Sequence, residues 1–167
     1  MQSRLIAAIA AGLALMVSAC AGFTPLYAEP GVTPALRTPG IRSQDSRSGF
    51  VLRGELEGAF GRDFSATPVY RLTAEVAGRR TPLGQRADDT ATRYELVMTV
   101  AYVVTEIAGG AEVHADTINV TTTYAASSQP YAGVVAQQDG VDRAAASAAD
   151  MIRSDLARVL ADRARAG

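Results

Sequence analysis

Residues 93–107 read RYELVMTVAYVVTEI. Tyr94, Leu96, Met98, Val100, Tyr102 and Val104 recur at every second position, and Glu95, Thr99 and Thr105 fall on the alternate ones. Successive side chains of an extended chain point to opposite faces, so a period of two predicts a strand with one buried face. The AGGA stretch (108–111) supplies a turn, and EVHADTINVTTTY (112–124) brings the chain back as a second strand. There the apolar positions shift from Val113 and Ala115 to Ile118 and Val120, which predicts a β-bulge. Upstream, VYRLTAEVAG (69–78) alternates in the same way, with Tyr70, Leu72, Ala74 and Val76 on one face. A sheet apolar on one face only must be covered there.

Two helices can provide the cover. In DSRSGFVLRGELEGAFG (45–61), Leu52, Leu56, Ala59 and Phe60 form one stripe. Asp45 or Ser46 suits its start, and Gly61 suits the position after its end. Gly49, Gly54 and Gly58 each cost about 1 kcal/mol relative to alanine, so packing must hold this helix. The G-x-x-x-G spacing of Gly54 and Gly58 suggests close helix–sheet approach. From about Pro130 to Arg165 the chain reads as one long helix, weakened early by Gly140. Its apolar face carries Ala145, Ala148, Ala149, Ile152, Leu156, Val159 and Leu160. Asp139–Arg143, Asp150–Arg153 and Arg158–Asp162 stand within one turn of each other, the spacing of stabilising ion pairs. The expected fold class is α+β: a two-layer sandwich, a sheet of about four strands with two helices on one face. A short additional strand is expected near Leu36 to Ile41.

The chemistry the chain lacks narrows its function. All 16 basic residues are arginine, which excludes a P-loop lysine, a Schiff-base lysine and an S-x-x-K nucleophile. A net charge of −1 recruits no nucleic acid. One histidine and one cysteine make no metal cluster, so neither a metal ligand nor a catalytic residue is expected. His114, inside a strand, reads as a surface or edge residue. Asp88 and Asp89 read as a solvated turn, and Asn119 of NVT as strand sequence. Tyr70, Tyr94 and Tyr102 lie on apolar faces and read as core. No cofactor is implied, and the expectation is a protein that is not an enzyme.

The lone cysteine, Cys20, closes an apolar run. Residues 1–18 combine a short charged start at Arg4 with LIAAIAAGLALMV, shorter than the ~20 residues a bilayer-spanning helix needs. The VSAC sequence (17–20) resembles the lipobox of bacterial lipoproteins. That resemblance implies a signal peptide over residues 1–19 and acylation of Cys20, and several acyl chains hold a protein stably to a membrane. Ala21, where an inner-membrane retention signal would place aspartate, implies the periplasmic face of the outer membrane. Residues 20–40, rich in proline, read as lipidated N-terminus and tether. Residues 41–167 remain as the folded domain.

Three further stretches carry a wider resemblance: CAGFTPLY (20–27), ATRYELVMTVAYVV (91–104) and TTTYAASSQPYA (121–132). Over about residues 15–165 the chain resembles the lipopolysaccharide-assembly lipoprotein family LptE in its alphaproteobacterial form. The resemblance implies a non-enzymatic subunit that sits inside an LptD-like outer-membrane β-barrel, helps it fold, and binds lipopolysaccharide. GRRTPLGQRADDTATR (78–93) reads as an arginine-bearing loop, and Arg79, Arg80 and Arg86 are the candidate lipopolysaccharide-binding residues. Arginine binds phosphate bidentately. A solvated hairpin tip, with Asp88 and Asp89 offsetting the charge, is the plainer reading of the same loop. An accessory lipoprotein of an ABC-type lipid transporter is the alternative function, with the GF-x-PLY and TRYEL stretches against it.

Overall fold

Strand β3, Ala91–Glu106, alternates in burial as its sequence does: Leu96, Met98, Val100, Tyr102 and Val104 are buried in turn. In the computed structural model, which describes residues 39–61, 67–85 and 91–166, it lies between two antiparallel neighbours. These are β2 (Tyr70–Gln85) and β4 (Glu112–Ala125). The fourth strand, β1 (Gly40–Ser43), pairs parallel to β2 from Gly40 opposite Arg71 to Ser43 opposite Ala74. The sheet order is β1-β2-β3-β4. Helix α1 (Arg47–Phe60) connects β1 to β2, and α2 (Pro130–Ala166) ends the fold. This is the expected α+β sandwich. The signal peptide, Cys20 and the tether up to Thr38 lie outside the described residues, as do Arg86, Asp88 and Asp89.

Both helices cover the face that carries the even-numbered residues of β2, β3 and β4. Leu52, Leu56 and Phe60 of α1 meet Leu72, Ala74, Met98, Val100 and Tyr102 in one core with Ile152 and Leu156 of α2. Burying one such leucine contributes roughly 1.5–3 kcal/mol. On α2 much of the buried stripe is alanine: Ala144, Ala145, Ala148, Ala149, Ala157 and Ala161. Small side chains let a helix settle close to its neighbours, and an inserted methylene there costs typically ~1–3 kcal/mol in strain. Val159, expected on the apolar face, is only half-buried.

Ser46, not Asp45, caps α1: its Oγ accepts from the Gly49 amide at 3.0 Å. Gly61 follows the helix at φ 66°, a left-handed conformation that side chains with a Cβ rarely adopt. The expected close approach at Gly54 and Gly58 is absent, since a Cβ at either would meet nothing within 4 Å. Gly49 is the crowded position. A Cβ there would lie 2.2 Å from the Gln44 carbonyl oxygen, where the chain turns from β1 into α1.

The bulge in β4 sits nearer the turn than the pattern suggested. The register shifts between Val104 and Thr105, opposite His114 and Glu112, which leaves Val113 as the extra residue. From His114 onward the alternation is unbroken, so Ala115 lies exposed on the helix-free face. The α2 ion pairs also differ in part. Arg143 pairs with Asp139 as expected, but Arg158 turns back to Asp155, and Asp162 pairs with Arg165 at 3.1 Å. Asp155 is drawn toward the sheet, and that geometry favours the i, i+3 partner.

Candidate functional site

The stretch read as an arginine loop is largely strand. β2 runs to Gln85 and β3 begins at Ala91, so residues 78–85 and 91–93 continue the β2–β3 ladder. The pattern was hidden because Gly78, Arg79, Arg80, Thr81 and Pro82 carry no apolar alternation. Pairing with β3 supplies what propensity does not. As neighbours in a strand, Arg79 and Arg80 point to opposite faces of the sheet. Arg79, opposite Val97, is exposed on the helix-free face.

Arg80, opposite Leu96, faces α2. Its guanidinium donates to Gln137 Oε1 at 3.1 Å and lies 4.7 Å from the Tyr94 ring centroid. Tyr94 in turn packs on Tyr124, with centroids 5.5 Å apart. Tyr124 lies against Gly140, where a Cβ would stand 3.1 Å from its ring, and Thr122 Oγ1 donates to the Gly140 carbonyl at 3.1 Å. The glycine that weakens α2 locally is thus the point where the helix meets the sheet. Arg80 belongs to this packing, so its guanidinium is engaged, whereas that of Arg79 faces solvent. The Tyr124 hydroxyl is buried without a hydrogen-bond partner among the described residues.

A second cluster joins β3 and β4 to the C-terminal part of α2. Tyr102, 1% exposed, donates its hydroxyl to Asp155 Oδ2 at 2.5 Å. His114 Nε2 reaches the same oxygen at 2.6 Å, and Arg158 donates to Oδ1. A carboxylate only accepts, so the histidine hydrogen lies on Nε2 in this contact. Burial alone would raise the Asp155 carboxyl, but the hydrogen bonds from Tyr102, Arg158 and His114 outweigh it and hold it below the usual carboxylate value. Burial, reinforced by the bond to Asp155, pushes the Tyr102 phenol well above its ordinary value. His114 is therefore no simple surface residue. It stands half-buried on an edge strand, against a carboxylate 41 positions away in sequence. No local spacing signals that contact.

His114, Asp116 and Asp155 bring one donor atom each within 4.8 Å of one another. Their hydrogen bonding nevertheless fits a polar tie better than a metal centre. Both Asp155 oxygens already accept hydrogen bonds, a cation there would face the Arg158 guanidinium, and Asp116 Oδ1 accepts from the Thr117 amide at 2.7 Å. Tyr102 is buried and its phenol is pushed well above its ordinary value, so the hydroxyl beside Asp155 stays protonated.

Residues 34–163 match a protein family described as LptE, lipopolysaccharide-assembly. The chain belongs to the LptE family. A lipoprotein from Caulobacter crescentus of known structure is 36% identical to this LptE-family chain, with a TM-score of 0.68, over 80% of this chain and 97% of its own. Rare lipoprotein B from Shewanella oneidensis shares the fold at 19% identity and a TM-score of 0.56, over 74% of this chain and 96% of its own. A minor lipoprotein from Acinetobacter baumannii does so at 10% identity and a TM-score of 0.56, over 74% and 92%. No curated protein matches. Membership in LptE supports a role in lipopolysaccharide assembly for this chain.

Proposed function

We propose that this LptE-family chain is a non-enzymatic outer-membrane lipoprotein, acylated at Cys20, that assists assembly of an LptD-like β-barrel, plugs it, and binds lipopolysaccharide on its way to the surface. The observation that carries the reading is the helix-free face of the sheet. On that face Arg71, Thr73, Glu75 and Arg79 of β2, Arg93, Glu95 and Thr99 of β3, and Thr117, Asn119 and Thr121 of β4 surround a centre of small apolar residues, Ala77, Val97, Ala101 and Val103. A sheet face left uncovered by helices is stable in water when its residues are polar, and a water-filled barrel lumen offers that solvent. Among the described residues no helix is long and apolar enough to cross a membrane. In this reading the acyl chains of Cys20 hold the domain at the membrane.

Arg79 and Arg86 are the arginines we assign to lipopolysaccharide phosphate, with Arg80 contributing to the stack beneath α2. Depletion of the protein tests the role. The amount of assembled LptD-like barrel and of surface lipopolysaccharide should fall together. Normal levels of both would reject the proposal.

A further inference from the structure

The two edges of the sheet are defended differently. Beyond Ser43 one edge is β2. The Ile107 amide donates to the Val69 carbonyl, so odd-numbered residues of β2 turn their backbone groups to β3 and even-numbered ones turn outward. On that outer side Gln44 Oε1 accepts from the Val76 amide at 3.4 Å, and Pro82 has no amide hydrogen to offer. Such devices keep an edge from recruiting another strand. The other edge, β4, carries the bulge and the charges of Glu112 and Asp116 at its start, but TINVTTTYA (117–125) has no charge, proline or bulge. The Ala126 amide donates to the Thr92 carbonyl, so the odd-numbered residues of β4 turn their backbone groups outward. Two of these groups are engaged. Asp116 Oδ1 accepts from the Thr117 amide at 2.7 Å, and Arg143 donates to the Thr123 carbonyl at 3.3 Å. Between them the carbonyls of Thr117, Asn119 and Thr121 alternate with the amides of Asn119, Thr121 and Thr123, without a partner among the described residues.

We infer that this edge takes up an extended segment of another protein, parallel to β4, with a basic residue followed at alternate positions by two apolar ones. In a parallel ladder one residue donates to a carbonyl and accepts from the amide two positions further on. The free run holds three such carbonyl–amide sites, opposite Ile118, Val120 and Thr122, and an engaged group closes it at each end. An antiparallel strand would use both groups of Asn119 and Thr121 and leave a half-pair at either end. Two copies of one edge related by a two-fold axis would run antiparallel, so the parallel pattern calls for a different chain. Side chains opposite Ile118 and Val120 project on the helix-covered side. There a groove of about 620 Å³ between β4 and α2 is lined by Ile118 and by Met151, which is 47% exposed, together with Asp116 and Asp150. An apolar side chain opposite Ile118 fills this groove, and a cation opposite Asp116 meets the two carboxylates. The Arg158 guanidinium in the same groove is bonded to Asp155 and does not neutralise them. Main-chain bonds give such strand addition its affinity, and alternate side chains give it specificity. This inference goes beyond the assembly role and does not depend on it.

Titration of the purified full-length chain in detergent micelles with a blocked heptapeptide, RTITVTT, tests the inference by NMR and amide hydrogen exchange. Saturable binding is expected, with exchange slowed at Asn119, Thr121 and Thr123 and unchanged at Thr117. A spin label on the peptide N-terminus should broaden Ala115 and Thr117 rather than Thr123 and Ala125, which reads the parallel direction. N-methylation of the peptide's isoleucine and valine removes two donors without altering the protein, and should weaken binding at least tenfold. Thr121→Pro should do the same, because it removes an outward amide that the β3 ladder does not use. Glutamate in place of the peptide's arginine should weaken binding to the wild type, and Asp150→Lys should reverse that preference. Absence of saturable binding would overturn the inference. So would binding indifferent to N-methylation, broadening centred on Thr123, or protection along the β2 edge instead.

Discussion

Tyr102 in the middle of the sheet hydrogen-bonds Asp155 on α2 over 2.5 Å, across 53 positions of sequence. The bond lies within a core otherwise built of aliphatic side chains, Met98 and Phe60, and it ties a long helix to the strands. A hydrogen bond to a charged group contributes ~1.5–3 kcal/mol when well formed. Tyr102→Phe should therefore lower stability by about that amount. Tyr124→Phe should be neutral or slightly stabilising, because the hydroxyl it removes is buried without a partner. Urea unfolding of the two variants, read from the midpoint at constant slope, checks the contrast. Equal losses would refute it.

Asp155 gives the fold an acid limit. Its carboxyl is held below the usual value in the folded chain, so its contribution is present above the unfolded carboxylate value, near ~3.9, and is lost as pH falls through the lower folded value. Thermal transitions of the wild type should fall more steeply below about pH 4 than those of Asp155→Asn, which no longer titrates there. The variant should be less stable at pH 7 and converge on the wild type in acid. Parallel curves for the two proteins would count against the tie.

The glycines of α1 separate into opposite outcomes. Gly54→Ala places a methyl group in open space and should stabilise by about 0.5–1 kcal/mol through helix propensity. Gly49→Ala drives a Cβ into the Gln44 carbonyl and should destabilise, by ~1–3 kcal/mol on the scale of overpacked sites. The same denaturation measurement reads both.

Arg79 and Arg80 should behave as unrelated residues although they are neighbours. Arg80→Ala loses the contact with Tyr94 and the bond to Gln137, and should cost about 0.5–1 kcal/mol of stability, as exposed cation–π contacts do. Arg79→Ala, on the open face, should leave the thermal transition unchanged and weaken binding of purified lipopolysaccharide, more strongly at low salt. Loss of affinity on Arg80→Ala alone, with Arg79→Ala silent, would move the ligand to the helix-covered side.

Cys20→Ala removes the thiol that acylation requires. Unprocessed or soluble protein is expected in cell fractionation, and normal recovery in the outer-membrane fraction would contradict the anchor.

Local chemistry in the sequence determined the elements. The period of two through Tyr94 and Val104, the cap candidates Asp45 and Ser46 and the apolar stripe of α2 each depend on residues a few positions apart, so the central strand, both helices and the covered face were legible. What only the tertiary structure decided depends on distant partners. The extension of β2 through Arg79, Arg80 and Pro82 comes from pairing with β3, against weak local propensity. The placement of the bulge at Val113 comes from the register of that same hairpin and its neighbour. The roles of Gly140 and His114 come from Tyr124 and Asp155, each brought close by packing of α2 on β4. Separation along the chain is the physical reason: a side chain's partner across a core leaves no trace in the spacing around it.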